Sequence, residues 1–231
     1  SVAARGLGDV YKRQARRGVA TDEMKQVAKD EEVTLDWLIP KIASGSIIIP
    51  SNNVRPQKIH NVGIGKGTKT KVNVNIGSST LNVNVDEEIE KAKVAVKYHA
   101  DTIMDLSDGG DVGTIRRALL DAAPITFGTV PIYEAYNFGV EKHKNPLDIT
   151  EDDYLNAYEN NIKDGVDYTT IHSGITKEIA KRILKVERYA GVVSKGGTIT
   201  AAWMLKYDKE NPYITHSVSY THLTLPTNRE V

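Results

Sequence analysis

The sequence predicts an α/β protein whose middle reads as repeated strand-then-helix units, and three observations carry that reading. Across residues 71–77, the apolar Val72, Val74 and Ile76 alternate with Lys71, Asn73 and Asn75, the two-residue period of a strand with unlike faces. Residues 102–106, 125–130, 168–172 and 191–194 are short strand-like runs, each followed by a helical pattern. Polar or unusual residues stand where these runs end: Asn75, Met104, Asp105, Tyr133, His172, and the quartet Ser194, Lys195, Gly196 and Gly197. In a βα fold such ends gather at one rim, so groups distant in the chain converge on one ligand.

The elements follow in order. Residues 1–14 (SVAARGLGDVYKRQ) and 218–231 (VSYTHLTLPTNREV) show no sustained period and resemble conceptual translations of sequencing-library adapters. The expectation is that residues 1–14 and 217–231 are non-native tails outside the fold. Residues 15–70 then form a small α-rich subdomain. Helices are expected over 21–31 and 34–42, capped by Thr21 and Thr34, with Pro40 distorting the second and Gly45 closing it in a left-handed turn. Residues 47–49 make a short buried strand ended by Pro50, and 51–70 a loop rich in Asn and Gly.

Residues 71–216 carry the repeated units. A helix starts at Asp86 and runs to about Tyr98; others cover 114–122, 177–186 and 197–207. Thr150, Glu151, Asp152 and Asp153 fit a capping box that opens a helix to about Lys163. A competing reading concerns residues 81–85 (LNVNV), which also alternate. With 77–80 as the turn they would pair with 71–77 in a β-hairpin bearing a wet asparagine face. About five βα units suit either an open doubly wound sheet or an incomplete eight-stranded barrel.

Composition removes several function classes. The 231 residues carry 30 lysines and arginines against 30 aspartates and glutamates, so no net field draws the chain to nucleic acid or an acidic membrane. No run approaches the apolar length of a membrane span, and the start lacks a signal peptide's apolar core; a cytoplasmic protein is expected. The chain has no cysteine, which excludes disulfides, a thiol nucleophile and thiolate-held metal or iron–sulfur centres within these residues.

Of the strand-end residues, Ser194, Lys195, Gly196 and Gly197 are the best phosphate candidates. Glycines between strand and helix let backbone N–H groups approach an anion, and the helix dipole and Lys195 add attraction; the same residues also make an ordinary turn. His172 could hydrogen-bond a ligand or serve as a structural hydrogen-bonder. The acidic glycine-rich loop of residues 105–111 could hold a hard cation or consist of solvated turn formers. The Tyr133 phenol could reach a ligand or pack at a helix start, and Met104 could floor a pocket or fill core.

The segments IIIPSNN, KVNVNIGSS, ADTIMDLSDGGD, ITFGTVPIYEA, GVDYTTIHSGI and GVVSKGGTITAAWML resemble, in order and spacing, the phosphomethylpyrimidine synthase family of thiamine biosynthesis. The resemblance runs from about Ala15 to His216. It implies a (β/α)8 barrel bearing a radical S-adenosylmethionine lyase, in which a 4Fe–4S cluster cleaves S-adenosylmethionine and the resulting radical acts on 5-aminoimidazole ribonucleotide. The product is 4-amino-5-hydroxymethyl-2-methylpyrimidine phosphate. Carried over residue by residue, the substrate contacts fall on Asn75, Met104, Tyr133, His172, Ser194, Lys195 and Gly196. Lys195 stands where arginine is common, which keeps the charge but loses a bidentate fork. The resemblance also implies a homodimer when full length, and a divalent metal such as zinc. The family's cluster cysteines and metal histidines have no counterpart here, so the chain is expected to be an N-terminal fragment, inactive alone, with an open barrel edge at residues 191–194. Two readings from other classes stand beside it: a ribonucleotide-binding module without chemistry, and an isomerase or aldolase barrel using His172 and Asp105 as acid–base groups.

Overall fold

The computed structural model describes residues 8–217 except Pro56 and Arg188. The expected C-terminal tail from Val218 onward, and residues 1–7 of the N-terminal one, lie outside the described residues.

The N-terminal part is built on three short helices. The helices α2 (Asp22–Asp30) and α3 (Leu35–Ser44) begin where Thr21 and Thr34 accept hydrogen bonds from Met24 N–H and Trp37 N–H, each at 3.2 Å. Gly45 closes α3 at φ 82°, and Pro40 lies inside it, both as expected. Against the expectation that residues 1–14 lack structure, Gly8–Arg16 form a helix, α1, which packs on α3 through buried Tyr11 and Ala15. Two apolar residues four apart, among charged ones, leave little periodic signal. The strand β1 (Ile47–Ile48) pairs antiparallel with β2 (Ile64–Gly65), which interrupts the expected loop. Met24, Val27, Leu38, Ile42, Ile47 and Ile49 fill this small core.

The main sheet is parallel and four-stranded, in the order β3 (Asn73–Ile76), β4 (Thr102–Asp105), β5 (Thr126–Thr129), β6 (Tyr168–Thr169). Order follows sequence with no reversal, whereas a doubly wound sheet changes direction at a switch point. Sequential parallel strands with helical crossovers are compatible with part of an α/β barrel.

The hairpin reading fails. Residues 81–84 are loop, Asn84 caps α4 (Val85–Lys97) by accepting from Glu87 N–H at 3.2 Å, and β3 pairs with β4 instead. A buried parallel ladder gives Val74 and Ile76 a helix-covered face that a two-stranded ribbon would leave wet.

The helices α5 (Val112–Ala122), α7 (Glu151–Asp164), α8 (Lys177–Ile183) and α9 (Lys195–Tyr207) stand where expected, and α7 carries the full Thr150–Asp153 capping box. An unexpected long helix, α6 (Pro131–His143), follows β5 directly, with a proline in its first turn. A short α10 (Pro212–Thr215) ends the described chain.

The expected fifth strand is absent among the described residues. Gly191 takes a left-handed φ of 60°, Val193 is 79% exposed, and Ser194 becomes the N-cap of α9. The two-residue β6 offers too short a ladder to template a neighbour. The sheet's open edges are therefore β3 and β6, not residues 191–194.

Ile76, Ile103, Ile115, Leu119 and Phe127 bury the sheet under α4 and α5. A second core, centred on Ile132, Tyr154, Trp203 and Met204, joins α6, α7 and α9 and takes in Met104, Leu106 and Tyr133. Tyr154 packs edge-on to both Trp203 and Tyr213. The N-terminal part is tied to the sheet by Arg55, whose guanidinium bonds Asp167 Oδ2 and the Ile125 carbonyl, both at 2.9 Å, and the Leu120 and Ala123 carbonyls at 2.8 and 2.6 Å. Both side chains of that ion pair are essentially sealed from water.

Candidate functional site

Strand alternation decides which groups share a face. Asn75 lies opposite Met104, and Asn73 opposite Thr102, on the face turned away from the Ile76–Phe127 core. These residues form a connected polar layer. Asn73 Nδ2 donates to Asn75 Oδ1 at 3.0 Å, and Asn73 Oδ1 accepts from the Thr102 hydroxyl at 2.7 Å and the Tyr168 hydroxyl at 2.9 Å. Toward the strand C-termini, the Thr170 hydroxyl reaches Met104 Sδ at 3.7 Å. Met104 and Tyr133 belong to one apolar cluster, so Met104 is partly core and partly floor of this rim.

The segment after β6 meets the start of α9. A Cβ built on Gly196 would lie 2.2 Å from His172 Cε1 and 2.7 Å from its Nδ1, so only glycine leaves room for the imidazole. The main chain on either side of the ring is held: Asn211 Nδ2 donates to the His172 carbonyl at 2.7 Å and to the Ile175 carbonyl at 2.9 Å. Burial depresses the His172 pKa, favouring the neutral ring, and its Nδ1 is buried without a partner among the described residues. Ser194 Oγ accepts from Gly197 N–H at 3.1 Å, fixing the first turn of α9.

Lys195 joins these parts. Its ammonium meets Asp108 of the loop after β4 and lies 5.3 Å from the Tyr133 ring centroid and 5.9 Å from that of Tyr136. Burial lowers the Lys195 pKa and raises that of the Tyr133 phenol. The structure thus brings His172, Ser194, Lys195 and Gly196 into contact, with Tyr133 beside them. Asn75 and Met104 stand on the neighbouring strands whose connecting loops carry Asp108.

Sequence reasoning gave no role to Tyr136, Tyr168 and Asn211, and weighed Asp108 only within a loop that could hold a cation. Asp108 was visible as one acid in a glycine-rich loop following a strand. Tyr136 stands three residues after Tyr133 on an unexpected helix, and no local pattern marks Asn211.

The acids of residues 105–111 do not form a cation site, because they do three separate jobs. Asp105 points to the helix side, accepts from Ser107 N–H at 2.9 Å, and is held protonated more readily by burial. Asp108 pairs with Lys195, and Asp111 caps α5 by accepting from Thr114 N–H at 3.0 Å. Asp105 and His172 accordingly sit on different sides of the sheet, which removes the acid–base pairing of an isomerase or aldolase. A cleft of about 600 Å³ between α5, α6 and α7 is lined by Arg116, Glu134 and Asp164. There Arg116 is already held between the two carboxylates, so its charge is not free for a ligand.

Residues 11–224 match the model of the Radical SAM ThiC family. The chain belongs to that family. It is 49% identical over 199 residues to the phosphomethylpyrimidine synthase of Thermococcus gammatolerans, covering 86% of this chain and 46% of that protein. The phosphomethylpyrimidine synthase of Pyrococcus furiosus is 48% identical over 200 residues, covering 87% and 46%. That of Ignicoccus hospitalis is 44% identical over 208 residues, covering 90% and 47%. The chain spans about half the length of the curated relatives it matches.

Membership of the radical SAM ThiC family implies S-adenosylmethionine and an iron–sulfur cluster. The residues present do not fit the cluster, since no cysteine occurs in the sequence. Among the described residues, no group of three or more histidines and acids could hold a further metal. The same residues include no helix long and apolar enough to cross a membrane.

Proposed function

We propose that this chain supplies the ribotide-binding part of a phosphomethylpyrimidine synthase in thiamine biosynthesis. The whole enzyme is read as a cytoplasmic, homodimeric radical lyase that converts 5-aminoimidazole ribonucleotide to 4-amino-5-hydroxymethyl-2-methylpyrimidine phosphate. The cluster thiolates and any metal such as zinc come from residues outside this sequence, so the chain alone binds substrate without turning it over.

The observation that carries the reading is the meeting of Ser194, Lys195 and Gly196 with His172 and Tyr133 at the strand-end rim. Ser194 Oγ takes the Gly197 N–H, which leaves the Lys195 and Gly196 N–H groups, the Ser194 hydroxyl hydrogen and the Lys195 ammonium to make an anion seat for the ribotide phosphate. His172, kept neutral by burial, offers a hydrogen-bonding nitrogen to the sugar or imidazole. Tyr133 and Met104 give the heterocycle an apolar floor, and Asn75 adds a polar contact at its edge.

Titration of 5-aminoimidazole ribonucleotide into the chain by calorimetry tests this. Ser194→Ala is expected to weaken binding about ten- to a hundredfold, the worth of one hydrogen bond to a charged group. Equal affinity for variant and parent refutes the phosphate assignment.

A further inference from the structure

Asp108 has no place in the ligand set drawn above, yet it holds the cation that a phosphate would need. Its Oδ2 meets Lys195 Nζ, while Oδ1 is buried with no hydrogen-bond donor among the described residues. The loop carrying Asp108 is clamped. Its N–H donates to the Ser78 carbonyl at 3.0 Å, and the Ser78 hydroxyl donates to the Gly109 carbonyl at 2.7 Å. A Cβ on Gly109 would fall 2.4 Å from the Thr80 nitrogen, so the two loops have no slack between them. Lys195 is the movable partner: its side chain is 46% exposed, against 17% for Asp108, and it rests on tyrosine rings rather than in a socket.

A carboxylate seated on that ammonium competes with any incoming anion. A phosphate reaching the first turn of α9 must take Lys195 from Asp108 and then lie near a carboxylate left without its cation. Sulfate, fully ionised and without a proton donor at neutral pH, can offer that carboxylate nothing. A phosphate ester with a hydroxyl or amine donor close by can satisfy it, and so recovers part of the cost of displacement. We propose that Asp108 sets affinity and specificity at this rim, as an internal anion that yields Lys195 to donor-bearing phosphate esters and discriminates against donor-free anions such as sulfate. This rests on the phosphate reading of Ser194, Lys195 and Gly196.

The test is calorimetric titration of the 231-residue chain with sulfate and with ribose 5-phosphate, for the parent, Asp108→Asn, Lys195→Met and the double variant. Asp108→Asn is expected to tighten sulfate about tenfold, and ribose 5-phosphate clearly less, so that selectivity between them narrows. With Lys195→Met in place, Asp108→Asn should change either affinity less than about twofold, because the coupling runs through the lysine. A sulfate affinity unmoved by Asp108→Asn, or raised equally without Lys195, overturns the proposal. A ligand-free reading comes from ¹³C-dimethylated lysines in NMR, with the Lys195 signal assigned by its loss in Lys195→Met. Asp108→Asn should shift that signal, and an unshifted signal overturns the latch whether or not phosphate binds. If Ser194→Ala leaves ribose 5-phosphate binding unchanged, the phosphate reading fails separately, and the Lys195 signal still decides the pairing.

Discussion

Replacing Gly196 by alanine puts a methyl group where the His172 ring now lies. The added Cβ would stand 2.2, 2.6 and 2.7 Å from Cε1, Nε2 and Nδ1 of that ring, well inside contact distance. Something must move, and overpacking of this kind costs about 1–3 kcal/mol. An opposing effect is built in, because alanine is favoured over glycine within a helix by up to about 1 kcal/mol. The single substitution is therefore destabilising by roughly 0–3 kcal/mol, a range too wide to decide anything alone. The double-mutant cycle with His172→Ala decides it. Once the ring is gone only the helical preference remains, so Gly196→Ala should become neutral or stabilising by up to about 1 kcal/mol. The measurement is urea unfolding followed by circular dichroism for the four proteins. The same destabilisation in both backgrounds would refute the claim that His172 is seated against the first turn of α9.

Two further outcomes follow from the buried polar groups. Arg55→Leu removes the partner of the Asp167 carboxylate and of three backbone carbonyls; the expected loss is about 3–5 kcal/mol in urea unfolding, and a loss under about 1 kcal/mol would contradict the buried network. Burial alone would raise the Asp153 pKa, but bonds from Thr150, Lys142 and His143 outweigh it and bring it from 3.8 to about 2. A carboxylate depressed on folding stabilises the native state above its unfolded pKa and loses that contribution as pH falls through the folded one. Between pH 4 and 2 the parent should thus lose about 1–2 kcal/mol that Asp153→Asn never had, and parallel acid limbs for the two proteins would contradict the assignment.

Much of this architecture was written in short-range chemistry. Thr21, Thr34 and Thr150 each announce a helix start, because a cap is a contact between residues three apart. Strands β3 to β5 declare themselves by alternation or by apolar runs between turn residues. Residues 191–194 misled because two valines after a glycine look like a strand, whereas strand formation needs a partner that a local pattern cannot reveal. Helix α6 was obscured by opening on Pro131 directly after β5, with mixed residues around its circumference. For the candidate site, position after a strand-like run drew attention to His172 and to the residues from Ser194 to Gly197, although the second run is no strand, and the closeness of His172 to the start of α9 depends on Gly196 having no side chain. Position could not find Asp108 as their neighbour, since 87 residues separate it from Lys195 and only the folded chain joins them.

The Arg55–Asp167 tie bears on the order of events during synthesis. Arg55 leaves the ribosome 112 residues before its carboxylate does, at a time when the carbonyls it will bond are also still unmade. The N-terminal helices can assemble early around their own apolar centre, but their seating on the sheet must wait for β6. Such a long-range closure is slow to form, and until it does a guanidinium destined for a dry interior stays hydrated. Ribosome-stalled chains ending before Asp167 should accordingly leave the segment around Arg55 open to protease, and chains extended past it should not.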